Sequence, residues 1–233
     1  MGIKTVLIGL TFPWLLATAA VAADFDKGEK AALVGDYATA LAEWIPMAEN
    51  GHVLAQCMLG TMYAHGLGMP KSNKIAVKWY TLAAEQGDAD AQYNLGVLYS
   101  NGEGVWADNN VAIKWYTLAA EQGFDKAQYN LALLYANGEG VPKDDQVVKM
   151  WYTLAAKQGK AEAQSNLGVM YEFGVNVAVD HLQAYMWYNI AAFNGNMLGA
   201  KNKENIVENM TFAQINEAQE MSTRCLESGY KDC

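Results

Sequence analysis

Basic residues are scarce in this chain. Of its 233 residues, 16 are Lys or Arg and 25 are Asp or Glu, giving a formal charge of -9 and a pI near 4.8. Neutralising nucleic-acid phosphates takes a basic surface, so a nucleic-acid partner is not expected. Charged residues of both signs reach only 18%, against 52% hydrophobic residues. That excludes a disordered chain and supplies enough apolar side chain for a sizeable core. Histidine and cysteine number three each, and no His and Cys pair has metal-ligand spacing; His52, His65 and His181 share no register. A G-x-S-x-G elbow is missing, and so is a Gly-Lys-Ser/Thr phosphate loop following a strand. The one S-x-x-K tetrapeptide, Ser228 to Lys231, lacks the S-D-N and K-T-G segments that accompany it in acyl-transfer enzymes. No catalytic residue, metal or cofactor is therefore expected.

Long apolar runs are also few. Lys4 precedes an apolar stretch from Thr5 to Leu16, followed by the small residues Ala17 to Ala23. This pattern predicts a signal peptide over residues 1–22, cleaved after Ala22 at Ala20-Val21-Ala22, with Ala23 a close second. The run is shorter than the roughly 20 residues of a spanning helix, and no other segment is long enough, so no integral span is expected after cleavage. Cleavage removes only Lys4 among the charged residues. An acidic protein, periplasmic or secreted, is the expectation.

What the chain has in abundance is repetition. Gln56, Gln92, Gln128 and Gln164 recur every 36 residues, each after an alanine. The pairs Trp79-Tyr80, Trp115-Tyr116, Trp151-Tyr152 and Trp187-Tyr188 keep the same step, as do Tyr63, Tyr99, Tyr135 and Tyr171. A fixed period of this size signals a solenoid or related array. Each unit divides into two helices. Ala91, Leu95, Gly96 and Tyr99 form a helical stripe in the first, which Gly66, Gly102, Gly138 and Gly174 terminate by tolerating a left-handed cap. Ser72, Asp108, Asp144 and Asp180 stand where the second helix begins, as N-caps. One pair cannot cover its own apolar face, so stacked repeats need capped ends. Residues 24–51 supply capping helices in front of four repeats at 52–195. Residues 196–233 close the other end, with Thr211 to Gln214 a capping box for a last helix reaching about Glu227.

The register of Ala-Gln, Leu-Gly, Tyr, Gly-x-Gly-Val, acidic cap, Trp-Tyr, Ala-Ala and Gln-Gly resembles the Sel1-like repeat over about residues 36–200. The departures are local: Leu67 and Met69 in the first turn, Ala132 for the glycine of Leu-Gly, and Val175-Asn176-Val177 in the fourth turn. The resemblance implies an all-α, right-handed α/α superhelical solenoid related to tetratricopeptide arrays, used to hold proteins together. Exported bacterial members include adaptors and regulators of envelope signalling, so a periplasmic regulator of an envelope sensor is an alternative. Some cysteine-rich members are described as acting on β-lactams, which makes a cell-wall or β-lactam enzyme the alternative from another class.

In such superhelices the first helix of each pair lines the concave face. Tyr93, Asn94, Tyr129, Asn130 and Asn166 then form a candidate ladder for an extended protein or peptide partner, since amides donate and accept and tyrosine offers a flat face with a polar tip. The competing role for these residues is packing between repeats. Trp106 stands where other repeats have Pro70, Pro142 and Ala178. It is either a contact hot spot or packed on its own loop. Truncating Tyr93 and Tyr129 is expected to spare stability, and truncating Trp115 to cost a core aromatic's worth. In an oxidising compartment Cys225 and Cys233 are expected to form a disulfide, whose short loop contributes roughly 2 to 3 kcal/mol. Cys57 is expected to be a lone thiol.

Overall fold

The computed structural model describes residues 23–233; the signal peptide expected over residues 1–22 lies outside the described residues. The 36-residue register becomes paired helices. A leading pair, α1 (Phe25–Leu33) and α2 (Tyr37–Glu49), is followed by four repeats. These are α3 (Val53–His65) with α4 (Asn73–Glu85), α5 (Ala89–Asn101) with α6 (Asn109–Glu121), α7 (Asp125–Asn137) with α8 (Asp145–Ala156), and α9 (Ala161–Phe173) with α10 (His181–Phe193). Helix α11 (Met197–Ile206), a 3-10 turn at Val207–Asn209 and α12 (Phe212–Glu227) complete an all-α solenoid. We call α3, α5, α7 and α9 the A helices and their partners the B helices. Each packs on the next in sequence, so that the pairs stack as an α/α solenoid. Among the described residues no helix is long and apolar enough to cross a membrane.

The turn between A and B is built by backbone hydrogen bonds. Gly102 closes α5 in the left-handed conformation at φ 71°, and the Asp108 N–H returns to the Tyr99 carbonyl at 2.9 Å. Asp108 then accepts from the Asn110 and Val111 N–H groups, capping α6. Ser72, Asp144 and Asp180 cap their B helices in the same way. The second glycine of the turn serves contact between repeats: a Cβ on Gly104 would stand 2.4 Å from the Asn73 carbonyl carbon. In the fourth repeat Asn176 takes this place at φ 54°, one of the few non-glycine residues that accept a left-handed backbone at low cost.

Two contacts repeat through the interior. Where the A helix carries glycine at this position, the tyrosine of its B helix lies flat against it, so that a Cβ on Gly96 would meet the Tyr116 ring at 2.5 Å. Gly60 with Tyr80 and Gly168 with Tyr188 do the same. This corrects the expectation for the Trp-Tyr pair. Tyr80, Tyr116, Tyr152 and Tyr188 are buried in every repeat, whereas Trp79 and Trp115 are half-buried and only Trp151 and Trp187 join the core. The second contact is a polar chain. Gln56, Gln92, Gln128 and Gln164 are buried and donate to the carbonyls of Ala48, Ala84, Ala120 and Ala156 at 3.0 to 3.1 Å. Their Oε1 atoms accept from Gln86, Gln122, Gln158 and Asn194 at 2.7 to 2.9 Å.

The ends depart from the repeat. At the front, Glu43 and Trp44 stand in the register of the aromatic pair; Glu43 accepts from the Asp24 N–H and pairs with Lys27, and Trp44 packs under Gly28. At the back, α10 is enclosed by α9, α11 and α12. Ile190 is thus fully buried, although its counterparts Leu82, Leu118 and Leu154 are exposed. The capping box of Thr211 and Gln214 opens α12 as the sequence predicts. Cys225 and Cys233 lie with their sulfurs at bonding distance and their Cα atoms 4.9 Å apart. Between them Tyr230 turns back to exchange hydrogen bonds with Asn194, at the end of the glutamine chain.

Two substitutions test this account by urea denaturation. Gly96→Ala gains up to about 1 kcal/mol of helix propensity in open surroundings. Against the Tyr116 ring it is expected instead to destabilise by about 1 to 3 kcal/mol. Gln128→Ala strands the Ala120 carbonyl and frees Gln158, and is expected to cost about 1 to 3 kcal/mol.

Candidate functional site on the A-helix face

Because consecutive repeats superimpose in register, the spaces between their A helices recur as well. Between α5 and α7 lies a cavity of about 350 Å³, with Tyr93 and Asn101 from α5, Tyr116 from α6, Asn130 and Leu133 from α7, and Glu139 from the following turn. One repeat earlier, between α3 and α5, a cavity of about 150 Å³ is lined by Tyr80, Asn94, Leu98 and Glu103, with His65 and Lys71 at its side. Tyr80 and Tyr116, Asn94 and Asn130, Leu98 and Leu134, and Glu103 and Glu139 are equivalent positions 36 residues apart. Val97 belongs to both walls.

The sequence-predicted residues divide across this face. Tyr93 and Asn130 share the α5–α7 cavity, and Asn94 lines the one before it. Tyr129 and Asn166 hold the equivalent positions one repeat further on, half-buried like the others. The rings are not free: Tyr93 lies against Tyr116 and Phe124, with centroids 5.9 and 5.0 Å apart, and Tyr129 lies 5.8 Å from Tyr152. Burial raises the hydroxyl pKa of both Tyr93 and Tyr129. Both rings therefore pack and line the face at once, which corrects the expectation that they are dispensable for stability. The half-buried Asn130 amide donates to the Tyr116 hydroxyl at 3.2 Å.

Two sets of residues on this face escaped sequence reasoning. The B-helix tyrosines send their hydroxyls through to the A-helix side, where Tyr80 donates to Thr61 at 3.0 Å and Tyr188 to Glu172 at 2.6 Å. Burial pushes Tyr80, Tyr116 and Tyr152 up to about 12, so all three remain neutral hydrogen-bonding groups near neutral pH. Glu103 and Glu139, which a solvated turn explains from sequence, reach back across the repeat boundary to Asn73 and Asn109, at 2.8 and 3.5 Å. Their recurrence 36 apart, always 30 residues after an asparagine, is the signal that marks them.

Trp106 is 94% exposed on the turn before α6, close to Lys74. That exposure rules out packing on its own loop. Cys57 is buried and unbridged, and burial first, then Asp88, raises its thiol pKa, the reverse of what a nucleophile needs. Ser228 is committed to structure. Its hydroxyl donates to the Cys225 carbonyl at 2.9 Å and accepts from the Lys231 and Asp232 N–H groups at 3.1 and 3.0 Å. What the A-helix face offers is binding chemistry: neutral amides and hydroxyls, tyrosine rings and spaced carboxylates.

The Sel1 repeat model matches residues 53–88, 89–124, 125–160 and 161–196. Among solved structures, a Sel1 repeat protein from Oxalobacter formigenes is 29% identical, covering 84% of this chain and 85% of its own, with a TM-score of 0.77. A protective antigen present in uropathogenic Escherichia coli strains and displaying an SLR fold is 30% identical over 83% of this chain and 50% of its own, with a TM-score of 0.55. A sel1 repeat protein from Klebsiella pneumoniae, 20% identical with a TM-score of 0.50, shares the fold. No curated protein matches significantly.

Tyr93→Ala removes a half-buried ring that two other rings touch. It is expected to lower unfolding stability by about 1 to 3 kcal/mol, whereas Trp106→Ala, at an exposed position, stays within about 0.5 kcal/mol of wild type. Paired urea titrations of the two variants check the contrast.

Proposed function

The chain belongs to the Sel1 repeat family, and from that premise we propose that it binds an extended protein segment along the A-helix face. Sel1 repeat proteins are generally protein-interaction scaffolds, and this chain is built as one. The observation that carries the finer reading is the pair of equivalent cavities one repeat apart, between α3 and α5 and between α5 and α7. A ligand that meets the same amide, hydroxyl and carboxylate at regular intervals is itself an extended chain with side chains at intervals. Direct contact of α3 with α5, and of α9 with α11 beyond the last repeat, supports placing this face on the inside of the curve. A surface held by two interior contacts per repeat loses little ordering entropy when it is occupied.

We also propose that the protein acts in the periplasm or is secreted, as the signal peptide expected over residues 1–22 implies. The sulfurs of Cys225 and Cys233, at bonding distance, support it, because such bridges persist in oxidising compartments. Trp106 belongs to a different surface, the turn edge, and separates two sites in a single experiment.

Selection of random extended peptides on the purified protein tests the proposal. Selected peptides are expected to lose about tenfold in affinity or more on the Asn94→Ala/Asn130→Ala double variant and to bind Trp106→Ala as they bind wild type. Unchanged binding to the double variant overturns the A-helix face as the site.

A further inference from the structure

We propose that the α5–α7 cavity receives a basic side chain, Arg or Lys, of the bound segment, with Glu139 as its counter-charge; this rests on the A-helix face being the binding surface.

The four turns that follow the A helices carry Leu67, Glu103, Glu139 and Val175 at the equivalent position. This turn position thus supplies a carboxylate to two of the inter-repeat spaces. The two differ in size, about 150 and 350 Å³, and in their charged lining. Lys71 stands beside the Glu103 cavity, and its counterpart after α5 is Ala107. Among the described residues, Glu139 is the only charged one in the lining of the larger cavity. Its hydrogen bonds come from neutral amides, Asn137 at 2.9 Å and Asn109 at 3.5 Å. The ion pairs among the described residues, Lys27 with Glu43, Lys143 with Asp145 and Lys160 with Glu162, all lie elsewhere. Glu139 therefore keeps an unneutralised charge at the rim, above a cavity large enough for a side chain.

The walls suit the rest of a basic side chain. Val97 and Leu133 offer apolar surface to its methylene stem, while the half-buried Tyr93 offers ring surface to its head. The protein already uses this combination one repeat further on, where the Lys160 ammonium stands 5.5 Å from the Tyr129 ring centroid. At Tyr93 the residue in the register of Lys160 is Phe124, tilted against the ring with centroids 5.0 Å apart. The chain's net charge of -9 adds long-range attraction of the same sign.

The test uses two short peptides, acetyl-Gly-Gly-Arg-Gly-Gly-amide and its citrulline counterpart, which keeps the shape and removes the charge. Each is titrated at low salt into the isotope-labelled chain and followed by amide chemical shifts. The arginine peptide is expected to shift the signals of Tyr93, Asn130 and Glu139, and the citrulline peptide to bind about tenfold more weakly. Glu139→Gln is expected to reduce the arginine peptide to the citrulline level, and Lys71→Ala to open a second response at Asn94 and Glu103. Equal binding of the two peptides, no response to either, or full arginine affinity in Glu139→Gln overturns the proposal. Equal binding at Tyr93 and Asn130 does so while leaving the A-helix face intact as a binding surface, whereas the peptide selection on the Asn94→Ala/Asn130→Ala variant tests that face by itself.

Discussion

A buried amide cannot be left half-bonded, and in this protein that constraint sets how one repeat sits on the next. Each Ala-Gln glutamine has both ends of its side chain committed: the nitrogen to an alanine carbonyl of the preceding B helix, the oxygen to a glutamine or asparagine that ends the following B helix. An unpaired group at this depth costs more than an ordinary hydrogen bond contributes, so sliding or tilting one repeat against its neighbour breaks a buried pair. Apolar contacts alone are less particular, because aliphatic side chains accept many relative placements at similar energy. The chain ends where Asn194 meets Tyr230, inside the loop spanned by Cys225 and Cys233. The tail thereby completes the last step of the polar ladder, which has no further repeat to complete it.

Within a repeat the spacing is set by a different contact, the tyrosine of the B helix lying on a small residue of the A helix. Close approach carries the tyrosine hydroxyl through the layer to the A-helix side. There its partner changes from repeat to repeat: Thr61 for Tyr80, Asn130 for Tyr116, Glu172 for Tyr188. The frame is constant and the polar groups displayed on it vary. That division lets a solenoid hold a regular geometry while giving each inter-repeat space its own chemistry, as with Lys71 beside one cavity and Ala107 in its place one repeat later.

The parts legible in sequence are those that depend on local chemistry repeated in register. Gly102 and Asp108 announce a helix stop and a helix start because a left-handed cap and a side-chain N-cap need those residue types. The Thr211 and Gln214 capping box was readable for the same reason. Gly96 could be recognised as a site of close approach, although its partner could not: periodicity places Trp115 and Tyr116 on adjacent spokes of one helix, and only the neighbouring helices decide which spoke is covered. The half-buried state of Tyr93 was hidden likewise, since Phe124, which packs at a tilt against it, belongs to the connection between repeats. Glu139 lies in a turn that folds back over the preceding repeat to reach Asn109, a contact that no local pattern encodes.

Variation is tolerated where the two interior contacts make no demand. The position of Pro70, Trp106, Pro142 and Ala178 lies on the turn, outside both the glutamine chain and the tyrosine contact, and there the repeats differ widely in size and shape. An indole ring 94% exposed gains almost nothing for folding at such a place. The turn itself is held by the Asp108 N–H returning to Tyr99 and by Gly104 against the backbone of Asn73, neither of which involves the Trp106 side chain. The edge is therefore free to carry whatever contact a partner requires, at no cost to the stacking that shapes the A-helix face.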